Sequence, residues 1–188
     1  MMQTSVHRRM AAILAADVAD FSALMEHDEV GTNVQIALLR HEIVEPILVD
    51  NRGRLIKTMD EGFIAEFGSS LESLRCGISI QRTLADTTDS LQLRIGLHLG
   101  DAMVEGSGGV YGESVNVAAC LEALADPGGI LISSNIYDEV IGKIDAQFED
   151  RGELQLENIS RVVRVYAVIA PAGSRTKALH SRFTGRSR

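Results

Sequence analysis

Three carboxylates are placed where they could handle a metal ion or a polyanion. Asp17 ends an apolar run, Met10 to Asp17, and Asp60 and Glu61 precede Gly62 between two strand-like runs. The runs are Leu55-Ile56 on one side and Phe63-Ile64-Ala65 with Phe67 on the other. Two acids followed by glycine between such runs predict a β-hairpin turn. Lys57 lies just before them, and a lysine beside paired carboxylates at a sheet tip suits a phosphate-bearing ligand with a divalent ion nearby. Taken alone, the segment reads as a solvated charged turn.

The elements that must position these groups follow in order. Residues 1–7 are expected to be a flexible N-terminus, and Met10 to Asp17 a buried strand. A helix starts at Asp20, and Asp28 is placed to cap a second one. Val30, Val34, Leu38, His41, Val44 and Leu48 recur at helical spacing and predict its buried stripe. His41 on that stripe reads as a packed, hydrogen-bonded histidine, and Pro46 as the site of a kink. The hairpin comes next, then a helix over 69–86, a polar loop over 87–90 and a long strand over 91–105. A glycine loop over 106–109 leads to a helix over 111–125, stopped by Asp126-Pro127-Gly128-Gly129. A short strand over 130–132, a short helix over 135–141 and strands over 148–156 and 162–169 complete the domain. The alternation predicts an α+β protein with its helices on one face of a sheet. Residues 171–188 form a basic tail expected to be disordered; contact with phosphate or membrane is the minor reading.

The chain has 188 residues, 45% of them hydrophobic and 23% charged, which fits one domain with a sizeable core. A net charge of −8 and the lack of a basic stripe in the body of the chain argue against nucleic-acid binding. No apolar run reaches spanning length, so no membrane is expected. There is no signal-peptide pattern, and the two cysteines, Cys76 and Cys120, form no metal or redox motif, which points to the cytoplasm.

Three segments in this order carry a resemblance: Ile13 to Met25 (ILAADVADFSALM), the hairpin from Gly53, and Leu93 to Leu121 (LRIGLHLGDAMVEGSGGVYGESVNVAACL). Together they resemble the catalytic domain of class III adenylate/guanylate cyclases, especially the stand-alone bacterial type, over about residues 8–170. The resemblance implies a ferredoxin-like βαββαβ core with an added small αβ subdomain. It implies conversion of ATP to 3′,5′-cyclic AMP and pyrophosphate at sites formed across a head-to-tail dimer, with Mg²⁺ or Mn²⁺ as cofactor. It places the metal on Asp17, the backbone carbonyl of Val18, and Glu61, with Asp60 as a substitute ligand. It places nucleotide contacts on Lys57 for the base and Asn116 for the ribose.

The chain also departs from the family pattern. Glu61 replaces an aspartate, and its extra methylene moves the carboxylate by about an ångström, where such a misplacement can cost roughly 10²-fold. Asp60 replaces a turn glycine. Asp20 replaces a glycine in the phosphate-facing loop, where Ser22 stands for a threonine. Gly109 replaces the base-reading aspartate. Cys120 stands where the family has the arginine that stabilises charge on the α-phosphate, a group worth roughly 10³–10⁵ in rate in phosphoryl transfer. Glu157 inverts the charge of a phosphate-binding lysine. The crevice is therefore several charges more negative than the pattern it resembles. The resemblance and these losses imply a cyclase homologue with a degenerate site and little or no activity alone. Its expected roles are binding, regulation, or partnership in a homodimer or a heterodimer with another cyclase domain. Two alternatives remain open: an active adenylate cyclase with an unorthodox site, and a purely structural interaction module.

Overall fold

The computed structural model describes residues 6–87, 91–105 and 108–169. The expectations for the tail, for residues 1–5, and for most of the 87–90 and half of the 106–109 loops lie outside them.

Two long strands form the spine. β1 (Val6–Val18) pairs antiparallel with β4 (Leu93–Glu105) along its whole length, from Val6 opposite Glu105 to Val18 opposite Leu93. β1 thus begins inside the stretch expected to be frayed. The hairpin β2 (Arg54–Thr58) and β3 (Gly62–Phe67) joins the other edge of β1 through Ala12 to Asp17. Beyond β4 come β6 (Ile130–Ser133), β8 (Val162–Ile169) and β7 (Gln147–Gln155), giving the order β2-β3-β1-β4-β6-β8-β7. The first four strands and the helices between them make the ferredoxin-like unit, and the last three extend the sheet. β5 (Val110–Tyr111) pairs back on β4; this two-residue strand replaces the start of the helix expected from 111, because the backbone at Gly112 has φ +122° and breaks the run.

The helices cover both faces, a correction to the one-face expectation. Alternate residues of β1 show why: Ala12, Leu14, Ala16 and Val18 enter one apolar cluster, and Ala11, Ile13 and Ala15 enter another. The first cluster lies under α4 (Ser70–Ala85), which supplies Leu74, Ile78 and Ile80, and α6 (Ser134–Val140), which supplies Ile136 and Val140. The second face is covered by α5 (Glu113–Leu124), which contributes Ala118 there, and Val117 and Leu121 to a third cluster with Val163 and Val165. The β1 strand is apolar on both faces because both are roofed.

The expected helical stripe is wrong in its first half. α1 (Phe21–His27) and α2 (Glu29–Leu38) form as read, with the Asp28 side chain accepting from the Gly31 N–H at 2.9 Å. The buried positions of α2 are Thr32 and Ile36, followed by Leu39; Val30, Val34 and Leu38 are exposed. A π-helical turn, Leu39–Val44, adds a residue before α3 (Glu45–Asp50). That insertion shifts the phase, so the spacing that buries Val44 and Leu48 points outward when extended back through α2. Pro46 sits at the start of α3, where its missing N–H removes one α-helical bond next to the wide turn. His41 is exposed as well, and its Nδ1 lies 3.1 Å from Glu45 Oε2 on the same helical face.

Candidate active site

Asp17, the last residue but one of β1, lies on the α5 side of the sheet, with Gly62 of β3 opposite it on one edge and Arg94 of β4 opposite it on the other. The hairpin brings Glu61 beside it: the Val18 N–H donates to the Glu61 carbonyl at 2.7 Å, and the turn is closed by the Met59 N–H donating to the Gly62 carbonyl at 2.8 Å. Arg40, from the π-helical turn, donates to the Met59 carbonyl at 3.0 Å and steadies the tip from below. Only glycine fits at 62, since a Cβ there would lie 2.1 Å from the Ala16 carbonyl oxygen. Asp60 is exposed and its φ is not positive, so the aspartate imposes no left-handed strain on the turn. Asp20, by contrast, holds φ +56°, a conformation in which glycine is at ease and aspartate is tolerated.

Two further groups define this crevice. Arg94 donates from Nε to Asp17 Oδ1 at 2.9 Å and from Nη2 to Asp17 Oδ2 at 2.5 Å, a forked ion pair. Its Nη1 donates to the Ala123 carbonyl at 3.3 Å, and its Nη2 stands 3.7 Å from Glu122 Oε1. The bond to Asp17 is the main reason the guanidinium is held above its ordinary pKa. Glu122 reaches the crevice because α5 packs directly on β4 at Gly96, where a Cβ would be 2.3 Å from the Ala118 carbonyl oxygen and the Glu122 nitrogen. Glu122 Oε1 is buried and accepts no hydrogen bond among the described residues. Burial, then the adjacent Asp17 and Glu61, raise its carboxyl to about 8 against the pull of Arg94.

Arg94 and Glu122 were missed by the sequence reading. The partnership of Arg94 with Asp17 follows from the β1–β4 register, which no local pattern gives. The chemistry of the donors fits a hard divalent ion: carboxylates of Asp17 and Glu61, the backbone at Val18, and a buried carboxyl oxygen at Glu122 without a donor. Among the described residues no three acidic, histidine or cysteine side chains are gathered closely enough to hold one as they stand.

The other expected contacts lie elsewhere. Lys57 is exposed on β2, next to a bulge between Leu55 and Lys57. Asn116 is exposed on the first turn of α5. Gly109 precedes β5, and a Cβ on it would come 3.4 Å from Glu105 Oε2, so an aspartate restored there would face a carboxylate. Cys120 is half-buried, with its Sγ 3.7 Å from the backbone carbonyl oxygen of Glu157. Its thiol is pushed up by burial, then by the carboxylates of Glu157 and Glu122. No cation is among the groups acting on it. Glu157 is exposed beside Asn158, which has φ +59°.

The chain matches the adenylate and guanylate cyclase catalytic domain over residues 5–170. It is 41% identical over 172 residues to a Rhizobium meliloti protein named "Putative adenylate cyclase 3", covering 88% of this chain and 29% of that one. It is 28% identical over 145 residues to a Streptomyces coelicolor adenylate cyclase, covering 75% of this chain and 36% of that one. The chain thus spans about a third of the length of these two relatives. Among solved structures, an adenylate/guanylate cyclase/hydrolase from Silicibacter pomeroyi superposes with a TM-score of 0.81 at 35% identity, covering 89% of this chain and 99% of that one. An adenylyl cyclase from P. aeruginosa shares the fold, with a TM-score of 0.79 at 20% identity and 89% and 97% coverage. By the extent of the domain match and by the identity to these relatives, the chain belongs to the class III adenylate/guanylate cyclase catalytic domain family.

Proposed function

We propose that this chain is a cyclase-family domain of cyclic-nucleotide signalling that makes little or no cyclic nucleotide by itself, and that it acts as a binding or regulatory partner of a cyclase domain. The observation that carries the reading is the surroundings of Cys120. The position that the family fills with an arginine holds a thiol over the Glu157 carbonyl, and the nearby Glu157 carboxylate, not a cation, raises its pKa further. A triphosphate placed there would meet repulsion where its breakdown needs positive charge. Asp17, Glu61 and the Val18 carbonyl would hold Mg²⁺ or Mn²⁺, which in such chemistry orients the substrate and offsets charge on its leaving group. Lys57 and Asn116 would contact the base and ribose of ATP.

The test is a cyclase assay with Mn²⁺ and ATP on the purified chain beside Cys120→Arg/Glu157→Lys. The expected result is near-background product from the wild type and at least about a hundredfold gain in the restored protein. Robust cyclic AMP from the wild type would sink the reading. A second reading, in which the chain is active within a dimer, is favoured by one observation: the backbone bond between Val18 and Glu61 keeps the expected metal groups together. In a heterodimer this face would serve a site completed by another domain's arginine and lysine. Mixing with an intact cyclase tests this: activity that disappears with Asp17→Ala in this chain supports the composite site.

A further inference from the structure

Position 109 has no side chain, yet a carboxylate stands in the space that one would fill. β4 and β5 close back on each other, with Val104 opposite Val110. One step further, the Glu105 N–H donates to the Gly109 carbonyl at 2.9 Å, and the Gly108 N–H donates to the Glu105 carbonyl at 2.8 Å. The turn thus holds Glu105 and Gly109 face to face. The atom nearest to a Cβ built on Gly109 is Glu105 Oε2, at 3.4 Å. The carboxyl group of an aspartate at 109, one bond beyond that Cβ, would share this space. The turn is also fixed in relation to the strand that carries Lys57. Arg54 of β2 donates from Nη1 to the Gly108 carbonyl at 2.9 Å and from Nε to Glu66 Oε1 at 2.6 Å. Arg9 of β1 donates to the same buried Glu66 carboxylate at 2.6 Å. One buried acid and two arginines therefore pin β1, β2 and the β4–β5 turn together.

A lysine only donates hydrogen bonds, and a carboxylate only accepts them. Adenine presents an exocyclic amino group, a donor, where guanine presents a carbonyl oxygen, an acceptor. Lys57 by itself finds an acceptor on either base, so the choice between them falls to the carboxylate. A carboxylate takes the amino hydrogen of adenine and repels the oxygen of guanine. We propose that Glu105 is the specificity-determining residue of the base site: it supplies from β4 the acceptor that position 109 lacks, and makes the site prefer an adenine to a guanine nucleotide. The inference rests on the reading that Lys57 contacts the base, and not on the reading of Cys120 and Glu157.

The experiment is equilibrium dialysis of the whole chain, with Mg²⁺ present, against the α,β-methylene analogues of ATP and GTP, whose methylene bridge keeps pyrophosphate from leaving. The proteins are the wild type, Glu105→Gln and Glu105→Gln/Gly109→Asp. The wild type is expected to hold the adenine analogue at least about tenfold more tightly than the guanine one. A glutamine amide can turn either its oxygen or its NH₂ to the base, so Glu105→Gln should bring the two affinities to within about twofold of each other. The double variant returns a carboxylate from the other side of the turn and should recover the preference, which a merely structural role for Glu105 would not allow. Guanine binding as tight as adenine binding in the wild type overturns the proposal. So does a preference kept by Glu105→Gln, one not regained by the double variant, or binding of neither analogue. Should Glu105→Gln lose its circular-dichroism spectrum, the unmutated chain supplies the answer. The α,β-methylene triphosphate of purine riboside, which lacks the exocyclic group, should bind it about tenfold more weakly than the adenine analogue, and equal binding overturns the idea. Binding of neither analogue would also remove the base contact at Lys57, whereas equal binding of both removes only the part given to Glu105. No turnover is measured, so the cyclase assay stands or falls separately.

Discussion

The two halves of the expected chemistry are built differently. The carboxylate crevice is formed by three adjacent strands and a helix pressed onto them. Each of its members has a structural tie: Asp17 to Arg94, Glu61 through its backbone to Val18, Glu122 through α5 to Gly96. The opposite set, Lys57, Asn116 and Glu157, stands on exposed surface, and Cys120 packs at the edge of the third apolar cluster with its Sγ near the Glu157 carbonyl. A residue bound into the fold resists replacement whether or not it still reacts, whereas one whose sole task was to touch a ligand can drift without a folding cost. The two regions thus differ in how far each residue is tied into the fold.

That contrast can be broken or sharpened by measurement. The largest effect is expected from Gly96→Val. Its side chain would collide with the backbone of α5, and unfolding in urea should show a loss of about 4 kcal/mol or failure to fold. Next, Asp17→Ala leaves Arg94 partly buried without its partner and should cost about 3 kcal/mol. The matching change on the other side, Glu157→Ala, should be within about 0.5 kcal/mol, because the side chain is exposed. Equal losses at 17 and 157 would end the comparison.

Acidity separates the crevice from the core beneath it. His98 is buried, 2.8 Å from the Ser133 hydroxyl, and burial, followed by Arg161, lowers its pKa from 6.5 to about 4. Its folded pKa is depressed, so the neutral ring is compatible with folding and the unfolded chain binds the extra proton. Stability should fall by about 3 kcal/mol as pH drops from 6.5 to 4, and His98→Gln should flatten that slope. Glu122 has the opposite sense. Its folded pKa is raised from 4.5, so its contribution is full below 4.5 and is lost as pH rises through about 8. Glu122→Gln should remove the alkaline part of the pH–stability curve while leaving the acid part to His98. The smallest effect is on α2: Val34→Ser should change stability by no more than about 0.5 kcal/mol, while Ile36→Ser costs several times that.

Much of this was legible in the chain. An apolar run ending in Asp17 and the acid-acid-glycine turn located β1 and the β2–β3 hairpin, because period and turn chemistry are local properties. Which face each helix covers was not legible, since β1 is apolar on both sides and offers no polar face to exclude. The α2 stripe failed at the π turn, where one additional residue resets the phase without any sequence mark that a helical count would register. Arg94 and Glu122 stayed hidden for a related reason. Each is an ordinary polar residue in its own element, and their meeting at Asp17 depends on strand register and on the close seat of α5 at Gly96.

The left-handed backbone at Asp20 means that the loop after β1 has kept a shape fit for glycine while carrying a larger side chain. The corner is already bent for the smaller residue. Putting glycine back would ask nothing new of the main chain and would lift one negative charge from the mouth of the crevice, so this step toward a more anion-tolerant entrance needs no rebuilding of the path around it.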